Sequence, residues 1–157
     1  MEKFYITLLA NIRKHPVIER MIISITKYFP YITFVIYPCL LIYLFSIQSS
    51  LLWESIWKPL GAFLLVTIFR KIVNRPRPYD QINIKPLIGH KHGESFPSRH
   101  TVSAFIIAFV CLPVHLYLGV FSIVIATIMS ICRILAGVHY ISDVVVSVII
   151  ALFFYII

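Results

Sequence analysis

His139 and Asp143 stand four residues apart in the stretch CRILAGVHYISD, residues 132–143. On a helix that spacing puts both side chains on one face. There the carboxylate can hold one imidazole nitrogen, fix the tautomer and leave the other nitrogen free to attack. A satisfied polar pair inside a packed bundle uses the same two residue types, so the pair gains meaning only from its surroundings. Two more clusters supply them. RKIVNRPRP, residues 70–78, carries Arg70 and Arg77; FPSRH, residues 96–100, sets Ser98, Arg99 and His100 in a row; and Arg133 precedes His139 in the third stretch. A guanidinium is a rigid fork of donors that matches phosphate oxygens and stays charged at every relevant pH. Ser98 is placed to cap a following helix, whose free N–H groups and dipole attract an anion. Capping accounts for Ser98 but not for His100 beside Arg99. Singly, each cluster also reads as a set of anchors at a helix end in a bilayer; jointly they describe an anion pocket beside a nucleophile.

Composition says what kind of frame must position them. The chain has 157 residues, of which 60% are apolar and 13% charged, and a mean hydropathy of +0.92. This is room for about one domain. A soluble domain carries about 25% Asp, Glu, Lys and Arg, and half that supply cannot cover its surface, so lipid must be the solvent for most of it. The apolar content excludes disorder. Three cysteines, Cys39, Cys111 and Cys132, are too few for a disulfide scaffold, and in their apolar stretches they read as small buried hydrophobes. A net charge of +8 would suit nucleic acid only through a water-facing groove, and little surface remains for one. No nucleic-acid partner is expected; the basic residues suit lipid headgroups.

The expected fold is all-α, an integral membrane helical bundle of about five transmembrane helices in a single domain over 1–157. Its parts are an interfacial amphipathic segment at 1–28 and a transmembrane core at 29–157. Charges at Glu2, Lys3, Arg13, Lys14, Glu19, Arg20 and Lys27, with Pro16 among them, predict two short interfacial helices and no cleaved leader. Span one runs from about Pro30 to Ile47, enough to cross a core of about 30 Å. Span two runs from about Leu51 to Phe69, with Glu54 and Lys58 forming a self-neutralising pair in its first turns. From Thr101 to Cys132 there is no Asp, Glu, Lys or Arg over 32 residues. This stretch suits two short spans joined near LPVHLYLG, where Pro113 and Gly119 break the helix. Span five runs from about His139 to the C-terminus. Five crossings bring the N-terminal segment, the 70–100 connection and the 133–139 turn to one side. His115 falls on the other side as an interfacial polar residue, and Trp53 and Trp57 read as belt residues. His90 and His92, with Glu94 nearby, read as a loop rather than a metal site, since a closed zinc site needs about four ligands and a supporting shell.

In order and spacing, RKIVNRPRP, PSRH and CRILAGVHYISD resemble the signature of the type 2 phosphatidic acid phosphatase (PAP2) superfamily, which reads KxxxxxxRP, PSGH and SRxxxxxHxxxD. Arg70 stands in place of the lysine, Arg99 in place of the glycine and Cys132 in place of the serine. The resemblance implies a membrane lipid phosphatase in which His139 attacks phosphorus to form a phosphohistidine. Asp143 would orient His139, and His100 would protonate the leaving oxygen. Arg70, Arg77, Ser98, Arg99 and Arg133 would hold the phosphate oxygens, with no metal and no cofactor. The implied substrate is a lipid phosphate or diphosphate, undecaprenyl diphosphate ahead of phosphatidylglycerol phosphate and phosphatidic acid. The implied location is the plasma membrane, with the site on its outer face. The positive-inside rule points the other way, since all the Lys and Arg residues but Lys58 fall on the site side, but several of them are there for phosphate. A non-enzymatic protein that binds anionic lipid is the alternative class; it would need the arginines but not His139 with Asp143.

Overall fold

A computed structural model of the chain describes residues 2–82, 84–89 and 92–157. Its helices are α1 (Glu2–Arg13), α2 (Pro16–Ser46), α3 (Leu51–Val73), α4 (Pro78–Gln81), α5 (Arg99–Cys111), α6 (Leu116–Leu135) and α7 (Ile141–Ile156). There is no strand among the described residues.

The second interfacial helix and span one, expected to be separate, form a single rod. α2 runs 31 residues through Pro30 and Pro38, roughly 46 Å at the usual rise. A proline bends a rod without ending it when neighbours hold both halves. Thr26 and Thr33 donate back to the carbonyls of Ile22 and Pro30 at 2.7 and 2.9 Å, the bonding typical of bent helices. The rod exceeds a core of about 30 Å, which leaves room for Glu19, Arg20 and Lys27 in its first turns.

α5 is the central helix and packs against α2, α3, α6 and α7. Nine of its thirteen residues are buried, as its nearly continuous apolar sequence requires. Ala62, Ala104, Ala108, Ala126 and Ala151 are fully buried between the helices. Small side chains there let backbones approach closely, which is how helices associate in lipid. A Cβ on Gly61 would lie 2.6 Å from the Phe154 ring, so α3 and α7 cross at close range.

Polar contacts tie both ends of the bundle. At one end the Glu54–Lys58 pair forms at 2.9 Å, and Lys58 Nζ also donates to the Tyr155 carbonyl at 2.9 Å, joining the start of α3 to the end of α7. His115 caps α6 there, its Nδ1 accepting from the Leu118 N–H at 3.3 Å. At the opposite end the left-handed Asn74 stops α3, its N–H donating to the Arg70 carbonyl at 3.0 Å; Pro76 follows. That end also holds the 74–98 connection, the start of α5 and the 136–140 turn.

The outward faces are apolar, with Phe34, Ile42, Phe45, Ile72 and Tyr117 exposed. Cys39 is exposed on the outer face of α2, against the expected burial, whereas Cys111 and Cys132 are buried. Helices α2 and α6 are long and apolar enough to cross a membrane. α5 and α7 are apolar but have only 13 and 16 residues, about 20 and 24 Å, and α3 carries Glu54, Lys58, Arg70 and Lys71.

Candidate active site

Two local features shape the turn between α6 and α7. Gly137 takes φ +73°, open to glycine and strained for other residues. Tyr140 is the N-cap of α7, and its N–H donates to Asp143 Oδ2 at 2.9 Å. That contact is half of a capping box and sits at the positive end of the helix dipole. Folded back in this way, Asp143 Oδ2 faces His139 Nδ1 at 3.4 Å, the long end of hydrogen-bond range. His139 thus precedes the helix instead of sharing a helical face with Asp143; the cap brings them together. Both side chains are buried, at 1% and 0% exposure. The His139 carbonyl accepts from the Tyr5 hydroxyl at 3.1 Å, so α1 buttresses the turn. Burial pushes the Tyr5 phenol up to about 12.

Two residues that the motifs did not single out complete the surroundings of Asp143. Ser95 Oγ donates to Oδ2 at 2.5 Å and Arg75 Nη1 to Oδ1 at 2.9 Å. Arg75 also bonds Ser142 Oγ at 2.8 Å and lies 4.2 Å from the Tyr140 ring centroid. Burial pushes the His139 imidazole down to about 4; the Asp143 contact pulls it up, and the charges of Arg133 and Arg77 lower it further. The ring is therefore neutral near pH 7, and with Nδ1 turned to the carboxylate its Nε2 is the nitrogen left to carry the lone pair.

Three buried guanidiniums gather around this pair. Arg77 donates from Nη1 to the Val138 carbonyl at 3.2 Å and from Nε to the Gly93 carbonyl at 3.0 Å, which pins it beside His139. Arg70 donates to the Pro97 carbonyl at 3.0 Å and stands 3.7 Å from Glu94; its Nε has no hydrogen-bond partner among the described residues. Arg133 is buried in the last turn of α6. The three charges lie close enough to repel one another, a state that a bound anion would relieve. Arg70 and Arg77 do not share a helix, since the chain reverses at Asn74.

Ser98 occupies the N-cap of α5, but the expected side-chain cap is absent. Its Oγ accepts from the Thr101 hydroxyl at 3.0 Å, while Ser147 Oγ accepts from the Ser98 N–H at 2.8 Å and donates to its carbonyl at 3.1 Å. Ser98 is thus engaged by neighbouring hydroxyls instead of by the first N–H groups of α5. Arg99 leans over the Phe63 ring at 5.7 Å. With His100 and Arg133 it lines a cavity of about 720 Å³ between α2, α3, α5 and α6. His139 is not part of that wall and is 1% exposed. Asp80 accepts from the N–H groups of Arg77 and Gly93 at 2.9 and 2.8 Å and meets His92 Nδ1 at 2.5 Å. Burial alone would raise the Asp80 carboxyl, but these donors outweigh it and hold the group low. His92 thus closes the connecting loop; His90 lies outside the described residues. No three His, Cys, Asp or Glu residues gather to hold a metal among the described residues.

The sequence pattern described as "PAP2 superfamily" matches residues 39–157. The chain is 36% identical over 88 residues to the bacitracin transport permease protein BcrC of Bacillus licheniformis. It is 37% identical over 90 residues to a lipid A 1-phosphatase of Rhizobium johnstonii. These matches take in 53% and 52% of this chain and 43% and 36% of the two relatives, so the chain covers less than half of their length. The crystal structure of Aquifex aeolicus LpxE superposes with a TM-score of 0.76 at 28% identity, over 98% of this chain and 91% of that one. The PAP2 type phosphatidylglycerolphosphate phosphatase from Bacillus subtilis superposes at 0.53 with 21% identity, over 98% and 89%, a likeness of fold alone.

Proposed function

Because this chain belongs to the PAP2 superfamily, we propose that it is a membrane lipid phosphatase, working through a phosphohistidine on His139. The observation that carries this reading is the buried contact of His139 with Asp143 beside Arg70, Arg77 and Arg133, at one end of an apolar bundle. In the first step Nε2 of His139 attacks phosphorus, the bond to the lipid oxygen breaks, and His100 gives that oxygen a proton. Water then attacks the phosphohistidine, passes a proton to His100 and releases inorganic phosphate. Phosphoryl transfer asks chiefly for positioning and for stabilisation of charge on three equatorial oxygens, and preorganised guanidiniums supply both. Asp143 holds the imidazole in the useful tautomer. Arg133 lines the cavity and its charge acts on His139, so it links the cavity to the nucleophile.

The substrate is a lipid phosphate or diphosphate whose tail stays in the bilayer. Undecaprenyl diphosphate is the first to test; a lipid A 1-phosphate and phosphatidylglycerol phosphate, which the similar proteins' names carry, come next. We further propose that α2, α3, α5, α6 and α7 make the five crossings, with the site at the outer face of the plasma membrane. The shortness of α5 and α7 supports a site recessed among the headgroups, level with a lipid phosphate.

Purified protein in mild detergent, given each lipid in turn, tests the reading by phosphate release. His139→Ala should lower turnover by about a thousandfold or more, as removal of a nucleophile does, with its thermal unfolding kept. Unchanged turnover would leave a non-enzymatic protein that binds anionic lipid.

A further inference from the structure

The cavity beside the site holds more positive charge than one phosphate ester calls for. Lys27 of α2 and Arg99 of α5 lie on its wall together with His100 and Arg133, and no Asp or Glu does. Neither Lys27 nor Arg99 has an acidic partner among the described residues. Each instead lies near an aromatic ring, Lys27 at 5.3 Å from that of Tyr28 and Arg99 at 5.7 Å from that of Phe63. Both are also extra to the superfamily pattern. Lys27 precedes the matched region, which begins at residue 39, and Arg99 stands where the pattern has glycine. A monoester carries a charge of about −1.5 to −2 near neutral pH, which Arg70, Arg77 and Arg133 already match.

We propose that Lys27 and Arg99 form a second anion subsite that binds the lipid-attached phosphate of a diphosphate substrate. The inference rests on the phosphatase reading above and names the substrate class that reading left open. Arg99 adjoins His100, the group assigned to the leaving oxygen, so the subsite falls on the leaving-group side. Nε2 of His139 forms its bond to the terminal phosphorus while the bond from that phosphorus to the bridging oxygen breaks. The bridging oxygen departs on the lipid monophosphate with the proton from His100. The charge that gathers on this departing phosphate is what Lys27 and Arg99 hold. Phe34, Phe63, Ile107 and Met129 in the same wall offer apolar surface to the first carbons of the chain.

Farnesyl diphosphate and farnesyl monophosphate, presented in the same neutral micelles, separate the roles. We expect wild type to favour the diphosphate. In Lys27→Gln and Arg99→Gln the ratio of kcat/KM for the diphosphate to that for the monophosphate should fall about tenfold each. It should fall further in the double variant, and Lys27→Arg should restore it. Equal losses on both substrates, scaling with the charge of added anionic lipid, would assign these cations to bulk headgroups and overturn the subsite. An unmoved ratio would do the same. If folded wild type releases phosphate from neither farnesyl compound and from no lipid of the panel above, the phosphatase reading itself falls; if it acts on that panel but on neither farnesyl compound, or on both with the ratio fixed, the subsite alone falls.

Discussion

Arg75→Met probes whether Asp143 is held in the protein as a buried ion. The Asp143 side chain is 0% exposed and that of Arg75 is 28% exposed, with 2.9 Å between Arg75 Nη1 and Oδ1. Removing one partner from a fully buried pair costs about 3–5 kcal/mol, because the other charge is left stranded. Two features reduce that figure here. Water reaches part of Arg75, and Oδ2 keeps its bonds from Ser95 and from the Tyr140 N–H. The loss should be about 2 kcal/mol, a factor of about 30 in the folding equilibrium. Denaturant unfolding in mild detergent of wild type, Arg75→Met, Asp143→Asn and the double variant gives the coupling directly. A coupling of about 2 kcal/mol is expected. If Arg75 acts through Asp143 and not on the substrate, its loss should lower kcat more than it changes KM. Single effects that add to within about 0.5 kcal/mol would refute the argument and leave Arg75 resting on the Tyr140 ring alone.

A pH titration tests the burial of His139. Its folded value of about 4 lies below the ordinary 6.5, so the unfolded chain takes up the proton first. The stability this group contributes is complete above pH 6.5 and is lost as pH falls toward 4. Over that interval wild type should lose more stability to acid than His139→Gln, and parallel curves would contradict the buried neutral ring. For orientation, Lys85→Cys in a Cys39→Ser background places a thiol in the exposed connection. A membrane-impermeant maleimide should label it on intact cells; labelling only after lysis would put the site in the cytoplasm.

The site was more legible in the sequence than the frame. His139 and Asp143 could be paired by spacing alone, although the contact comes from a helix cap and not from a shared helical face. The difference follows from Tyr140 starting α7 one residue after His139. Arg75 lies inside the first motif, one Arg-Pro step before Arg77 and Pro78, yet spacing could not tell which of the two arginines meets Asp143. Ser95 offered no signal, since its role depends on the connecting loop returning 48 residues before its partner in the chain. In α2 the sequence misled, because Pro16, Pro30 and the charges of the first 28 residues mark breaks locally, while packing against α3, α5 and α6 keeps the rod whole.

The arrangement around Asp143 explains how a cluster of buried cations can remain cationic. Arg70 and Arg77 are satisfied mainly by the carbonyls of Pro97, Gly93 and Val138, which stabilise the guanidiniums without cancelling their charge. A buried carboxylate in direct contact would stabilise them more and would remove the attraction for phosphate. Asp143 is buried and its charge reaches Arg77, but its ion-pair partners are Arg75 and His139. Arg75, Ser95 and the Tyr140 N–H together occupy its oxygens, turning it toward His139 and away from the anion pocket. On the proposed phosphatase reading, Arg75 thus keeps the acid that orients the imidazole from neutralising the cations that would hold phosphate, and its loss should weigh on turnover.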